Sequence, residues 1–295
     1  MLEKAPGVAR RAACHDYESK TARKQLARQG TLDTGAQSNS QVLESTAAEA
    51  VNGTSGKVVL YTMLWQPEPA GDGGRPRRRV PATTASRCNW LNLSAVLRHA
   101  ETGARRSDSV AGSEIGKRAS TLARWVADGW DIVAPVPSCV LMFKQELPLM
   151  FPDDEQVQAV GQAFFDPFNY LYLRHQGGKL RTNFATSLGK VSYHVPCHLR
   201  VQNIGLKTRD VLQLIPDTTV HPIERCSGHD GTYGVKTEFR AASVKIAQPV
   251  ATQVENSGAD EFCSDCPMAA AQIADLAKRA SHSHPMQLLR RAYGI

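Results

Sequence analysis

Short apolar runs alternate with amphipathic stretches along most of this chain. "KVVLYT" (Lys57 to Thr62), "DIVAPV" (Asp131 to Val136), "KVSYHV" (Lys190 to Val195), "TTVHPIE" (Thr218 to Glu224) and "ADEF" (Ala259 to Phe262) are short and predict strands. The continuously apolar ones are of the buried, parallel-sheet kind. Between them, helical spacing predicts helices over "RASTLARWVADGW" (Arg118 to Trp130), "VLMFKQELPLMF" (Val140 to Phe151), "KTRDVLQLI" (Lys207 to Ile215) and "MAAAQIADLAKR" (Met268 to Arg279). A longer helix is expected from about Tyr233 to Asn256, and "PDDEQVQAVGQAFFDPFNYLYLRHQ" gives two more, the first opened by Pro152 and the second by Asp166 before Pro167. The fold class is therefore α/β with mainly parallel sheets.

The alternation also divides the chain. Residues 1–55 are polar and weakly patterned and read as a tail or linker. "GKVVLYT" at Gly56 is echoed by "GKVSYHV" at Gly189, and "GWDIVAPVPSCVLMF" at Gly129 by "GADEFCSDCPMAAA" at Gly258. Two copies of one unit are expected, at 56–152 and 189–281, joined by a helical connection at 153–188 and followed by a C-terminal tail at 282–295. Periodicity fails in the roughly sixty residues after Thr62, which contain "PEPAGDGGRPRRRVPATTAS".

Composition narrows the classes. With 295 residues and 42% hydrophobic content the chain can bury a large core, and no run reaches the ~18 apolar residues of a spanning helix. Glu3 and Lys4 break the apolar pattern a signal peptide needs, so a cytoplasmic protein is expected. The net charge of +7 is concentrated at "RPRRR" (Arg75 to Arg79), inside the patternless segment, and reads as solvated surface, not as a nucleic-acid footprint. Seven cysteines in such a chain point to metal or redox use instead of disulfides.

Their placement is the main chemical signal. Cys197 follows the strand at Lys190, Cys226 the strand at Thr218, and Cys263 and Cys266 the strand at Ala259, with Pro267 at the first turn of the next helix. In an open α/β sheet all such junctions share one edge, so the four thiols should gather there. Cys-x-x-Cys before a helix N-terminus is a metal-gripping arrangement, and four sulfurs suit either a [4Fe–4S] cluster or tetrahedral Zn²⁺. The loop "ERCSGHDGTYGVK" (Glu224 to Lys236) carries neither Gly-x-Gly-x-x-Gly nor a P-loop pattern, which argues against a phosphate cradle. Gly228, Gly231 and Gly234 would let it close around a bound group. His194, His198 and His229 flank the thiols and read as surface or hydrogen-bonding residues before ligands, although hydrogen bonds to cluster sulfurs would tune a potential; His198, His229, Ser227 and Gly228 are expected just outside the ligands. Met142, Phe143, Leu149, Met150 and Phe151 read as core or as an interface between the repeats.

"HVPCHLR", "CSGHDGTYG" and "CSDCP", in this order and spacing, resemble the cysteine-rich CCG domain that occurs in the B subunit of heterodisulfide reductase, the glycolate oxidase iron–sulfur subunit and the C subunit of anaerobic glycerol-3-phosphate dehydrogenase. "PSCVLMFKQELP" is most similar to the glycerol-3-phosphate dehydrogenase type. The resemblance implies two cysteine-rich α/β domains and an iron–sulfur electron-transfer subunit of an oxidoreductase complex. Cys197, Cys226, Cys263 and Cys266 would be the cofactor ligands, and Cys139 a remnant of the first repeat's site. It further implies a flavoprotein dehydrogenase or ferredoxin-like partner, a quinone or disulfide acceptor, and a place at the inner face of the membrane reached through partners. Ser227 stands where the fuller motif has a second cysteine, which shifts the expected cofactor from a five-thiolate noncubane cluster toward a cubane or zinc. The ferredoxin-like cysteine segment that many relatives carry is missing.

The first repeat lacks its own CCG motif. Val96 to Ser107 permits codons that in a shifted frame spell Cys-Cys-Gly-Met-Pro-Lys-Leu-Glu-Leu-Gly-Asp, so a frameshift or sequencing error between about Met63 and Ser109 is hypothesised. Resequencing that finds no insertion or deletion relative to close relatives would remove the idea. Two other readings stand beside the redox subunit: a zinc-stabilised structural or assembly module, and an inactive remnant that binds no metal.

Overall fold

The computed structural model describes residues 49–62, 86–92 and 119–294, apart from 231–233, 235 and 280. The chain forms two units, dividing between Arg181 and Thr182. Most of the 1–55 tail, the proposed frame-shifted stretch except for 86–92, "RPRRR" and Gly231 lie outside the described residues.

The first unit holds a parallel sheet in the order β2-β1-β3-β4: β1 (Lys57–Thr62), β2 (Ser86–Asn92), β3 (Asp131–Val133) and β4 (Phe164–Phe165). Strand β2 falls where the hydrophobic pattern lapses, and β4 where a helix was expected. Helix α1 runs through 119–127. After β3 come α2 (Pro137–Leu141), a π-helical turn (Met142–Glu146) and α3 (Leu147–Met150). The expected single helix is widened there because Pro148 has no N–H to give the Lys144 carbonyl four residues back. Gly161 completes the fit, since a Cβ on it would lie 2.8 Å from Pro148 Cγ.

Helix α4 (Glu155–Gln162) is opened by Asp154, not by Pro152: its carboxylate accepts from the Gln156 and Val157 N–H groups, two of the four donors every helix start leaves unpaired. Asp166 caps α5 (Pro167–Gln176) in the same way, as expected. Phe143 and the partly buried Met142 and Phe151 join the core with Tyr61, Leu122, Ile132 and Phe164, but Leu149 and Met150 are exposed, at 81% and 64%. A buried polar knot closes the opposite, N-terminal edge of the sheet. Asp131 accepts from the Ser55 N–H (2.6 Å) and hydroxyl (2.8 Å), Tyr170 takes the Gly56 N–H, and Arg174 donates to the Glu49 carbonyl.

The second unit holds a parallel sheet in the order β6-β5-β7: β5 (Gly189–His194), β6 (Thr218–Ile223) and β7 (Glu261–Ser264). Among the described residues five helices accompany it: α6 (Cys197–Val201), α7 (Lys207–Leu212), α8 (Arg240–Asn256), α9 (Pro267–Leu276) and α10 (Pro285–Ala292). Helix α8 begins seven residues later than expected, after a 3₁₀ turn at Thr237–Phe239. Ile223 and Phe262 pack with Val250, Val254, Ala270 and Ile273 of α8 and α9. Residues 282–295, set apart from the repeat by sequence, carry α10, which buries Leu288, Leu289 and Ala292.

Candidate functional site

Strand register decides which cysteines share an edge. In the second sheet His194 lies opposite both Ile223 and Ser264, so the three strands end level. Cys197 comes three residues after that level, as the first residue of α6; Cys226 comes three after it, in the loop beyond β6; Cys266 comes two after it, as the N-cap of α9. Cys263 sits one step inside, opposite Tyr193 within β7. Three of the four cysteines thus follow strand ends at one edge of the sheet, and the fourth lies one residue inside its strand.

Their environments differ. Cys197 and Cys226 are exposed, Cys266 is half-buried and Cys263 is buried. The Arg200 guanidinium donates to Cys197 Sγ (3.5 Å), and the Gly228 N–H donates to Cys226 Sγ (3.4 Å). Burial pushes the Cys263 thiol well up, and the Asp265 and Glu261 carboxylates push it the same way. Burial also raises Cys266, against the Ala269 and Met268 N–H groups of α9, which favour its thiolate. A cation at this edge would reverse the burial effect on both thiols. In donor chemistry the set suits a sulfur-ligated metal or cluster. Among the described residues, however, no three His, Cys, Asp or Glu side chains are drawn together in a metal-holding group.

The edge is braced by polar side chains, of which the sequence pattern singles out His194 but not Asp265, Gln272 or Ser243. His194 is fully buried and bonds Ser264 Oγ on one side (2.9 Å) and the Arg225 carbonyl on the other (2.9 Å), linking all three strand ends. Burial lowers its pKa to about 4, so it serves as a neutral strut. Asp265, between the paired cysteines, accepts from Tyr193 Oη (2.5 Å) and Thr208 Oγ1 (3.1 Å), and burial raises it to about 6. Gln272 of α9 donates to the Ser227 carbonyl (2.8 Å) and to Ser243 Oγ (2.9 Å), while Ser243 of α8 donates to the Gly228 carbonyl (2.6 Å). A glutamine among Ala269, Ala270 and Ile273, on the apolar face of α9, was the signal available in the sequence.

The expected neighbours fall into place unevenly. Ser227 and His229 are buried beside Cys226, with the His229 N–H directed at Ser227 Oγ (3.4 Å). Gly228 has φ +69°, and what lies against it is α8: a Cβ there would stand 2.2 Å from the Ser243 carbonyl oxygen. Gly234 likewise faces Ser243 Oγ and Gln272 Oε1. These contacts set both glycines against the helices behind the loop. His198 is exposed on α6, its carbonyl accepting from Gln202. In the first unit Cys139 is buried among Tyr61, Phe143 and Phe164, its thiol pushed up to about 12 by burial.

Comparison with known proteins bears on the same stretch. Residues 191–274 match the family model of the cysteine-rich domain designated CCG. Over 104 residues the chain is 36% identical to the C subunit of anaerobic glycerol-3-phosphate dehydrogenase from Escherichia coli strain K12, and the same figures hold for that of Escherichia coli O157:H7. The match takes in 35% of this chain and 26% of each relative, so the chain spans about a quarter of the length of the curated relatives it matches.

Proposed function

We propose that this chain, with a CCG-type cysteine-rich domain at 191–274, is an iron–sulfur electron-transfer subunit of an oxidoreductase complex. The observation that carries the reading is the level ending of three parallel strands, each followed by a cysteine, inside the matched domain. Cys197, Cys226, Cys263 and Cys266 are the proposed ligands of a [4Fe–4S] cluster, which when bound would supply one-electron redox chemistry. Sulfur donors at strand ends, a helix N-cap offering N–H groups to Cys266 and an arginine on Cys197 all favour anionic sulfur. His194 and Asp265 hold the strand ends without joining the donor set.

The relatives are named as a subunit of a dehydrogenase, which supports work alongside partner subunits; a flavoprotein or ferredoxin-like partner and a quinone or disulfide acceptor are proposed with it. No helix among the described residues is long and apolar enough to cross a membrane. A cytoplasmic location, with any approach to the membrane made through partners, belongs to the proposal. The first unit, with β1, β3 and Cys139 in corresponding places, is proposed as a degenerate repeat of the second.

Anaerobic purification tests the cofactor. About four irons and about four sulfides per chain, lost on Cys266→Ser, are expected. A colourless protein carrying one zinc would replace this reading with a zinc-stabilised module, and a folded protein that takes up no metal would point to an inactive remnant.

A further inference from the structure

Three carbonyls bonded by side chains, those of Arg225, Ser227 and Gly228, fix the loop that carries Cys226. The loop leaves β6 at Ile223, its Arg225 carbonyl bonds His194, and its next carbonyls are taken by side chains of helices further along the chain. Gln272 Nε2 divides its donors between the Ser227 carbonyl and Ser243 Oγ; Gln272 Oε1 accepts from Arg240 at the start of α8 (3.0 Å); the Ser243 hydroxyl donates in turn to the Gly228 carbonyl. Gln272 and Ser243 are both fully buried. Every polar atom of the glutamine amide group therefore has a partner, and the chain of bonds has one orientation in which all are satisfied. The two glycines packed against these residues allow the approach: Gly228 leaves no room for a Cβ, and a Cβ on Gly234 would crowd Ser243 Oγ at 2.9 Å.

We infer that Gln272 and Ser243, with Arg240 orienting the amide, are positioning residues that set the place of Cys226 at the thiol edge. They act not on a sulfur but through the carbonyls of the two residues that follow Cys226. Cys197 is placed by a different device, the Pro196–α6 turn, whose Leu199 and Arg200 N–H groups bond the Pro196 carbonyl. Beyond the His194 bond that ties the strand ends together, the two exposed thiols of one edge are thus held by different hydrogen bonds. As a statement about cluster binding the inference rests on the proposed function; as a statement about the loop it does not.

Hydrogen exchange of the full-length protein, read by mass spectrometry, separates the two. In Gln272→Leu and in Ser243→Ala, exchange across 226–234 should quicken about tenfold, the factor expected when one or two buried hydrogen bonds are lost, while 196–203 stays at the wild-type rate. Unchanged exchange at 226–234, or equal quickening in both segments, would overturn the inference; should Gln272→Leu not fold, Ser243→Ala carries the same test. On iron-reconstituted protein both variants should lose their visible absorption to a chelator about tenfold faster than wild type, by the same loss of bonds. Equal loss rates would overturn the role in holding a cluster. Wild-type protein that takes up no iron would sink the proposed function and leave the exchange result to decide the clamp.

Discussion

Gly228, at φ +69° with the Ser243 carbonyl 2.2 Å from where a Cβ would stand, is the most constrained position of the cysteine loop. Gly228→Ala combines left-handed strain with a clash against helix backbone and should lose more than about 2 kcal/mol in denaturant unfolding. Gly258→Ala, at φ +57° with nothing within 4 Å, should lose only the strain, about 1 kcal/mol. Two titrating residues beside the loop oppose each other. His194 stays neutral in the fold down to about 4, while the unfolded chain takes up a proton below 6.5, so its contribution to stability is lost as pH falls through that window. Asp265, raised to about 6, keeps a proton that the unfolded chain releases above 3.8, so its contribution is lost as pH rises from there through 6. Asp265→Asn should unmask the histidine: stability measured by urea unfolding should climb more steeply between about pH 4 and pH 6.5 than in wild type. An unchanged slope would show that Asp265 does not titrate in the fold. The residue types around the thiols were readable in sequence, but which of them would be enclosed was not, because enclosure depends on α8 and α9 arriving from elsewhere in the chain.

At the scale of elements, α10 shows what a short helix conceals. Its eight residues give too few turns for a period to stand out, and its cap is a histidine: His284 Nδ1 accepts the Met286 N–H while Gln287 reaches back to the His284 N–H. Ser283, just before it, bonds the Phe262 carbonyl and receives the Ser264 N–H, adding a parallel bridge at Cys263. Leu288→Ala, at a fully buried position, should therefore lose about 2 to 5 kcal/mol, whereas Leu149→Ala, at an exposed one, should stay within about 0.5 kcal/mol of wild type in the same unfolding assay. Strands β1 and β3 were legible as continuous apolar runs of the buried parallel kind, and β5, β6 and β7 as short runs between helical stretches, although β6 leaves His221 and Pro222 exposed. Strand β4 was not, since two residues between capped helices carry no pattern of their own.

For the whole molecule, the two units pose the question of how many cysteine sites remain. Cys139 lies in an apolar core with its thiol at about 12, while the second unit places three cysteines along one edge and a fourth beneath it. Iron content by elemental analysis should accordingly be unchanged in Cys139→Ser and fall to near background in Cys197→Ser and Cys226→Ser. The alternation of strand and helix, and the position of each cysteine just beyond or at the end of a strand, followed from the sequence alone, because both are set by residues near one another in the chain. The level of the strand ends, the inward step of Cys263 and the carbonyl clamp on the Cys226 loop did not. They arise from register between strands separated by tens of residues and from side chains of α8 and α9 meeting a loop that precedes them, and only the folded chain brings those partners within hydrogen-bonding distance.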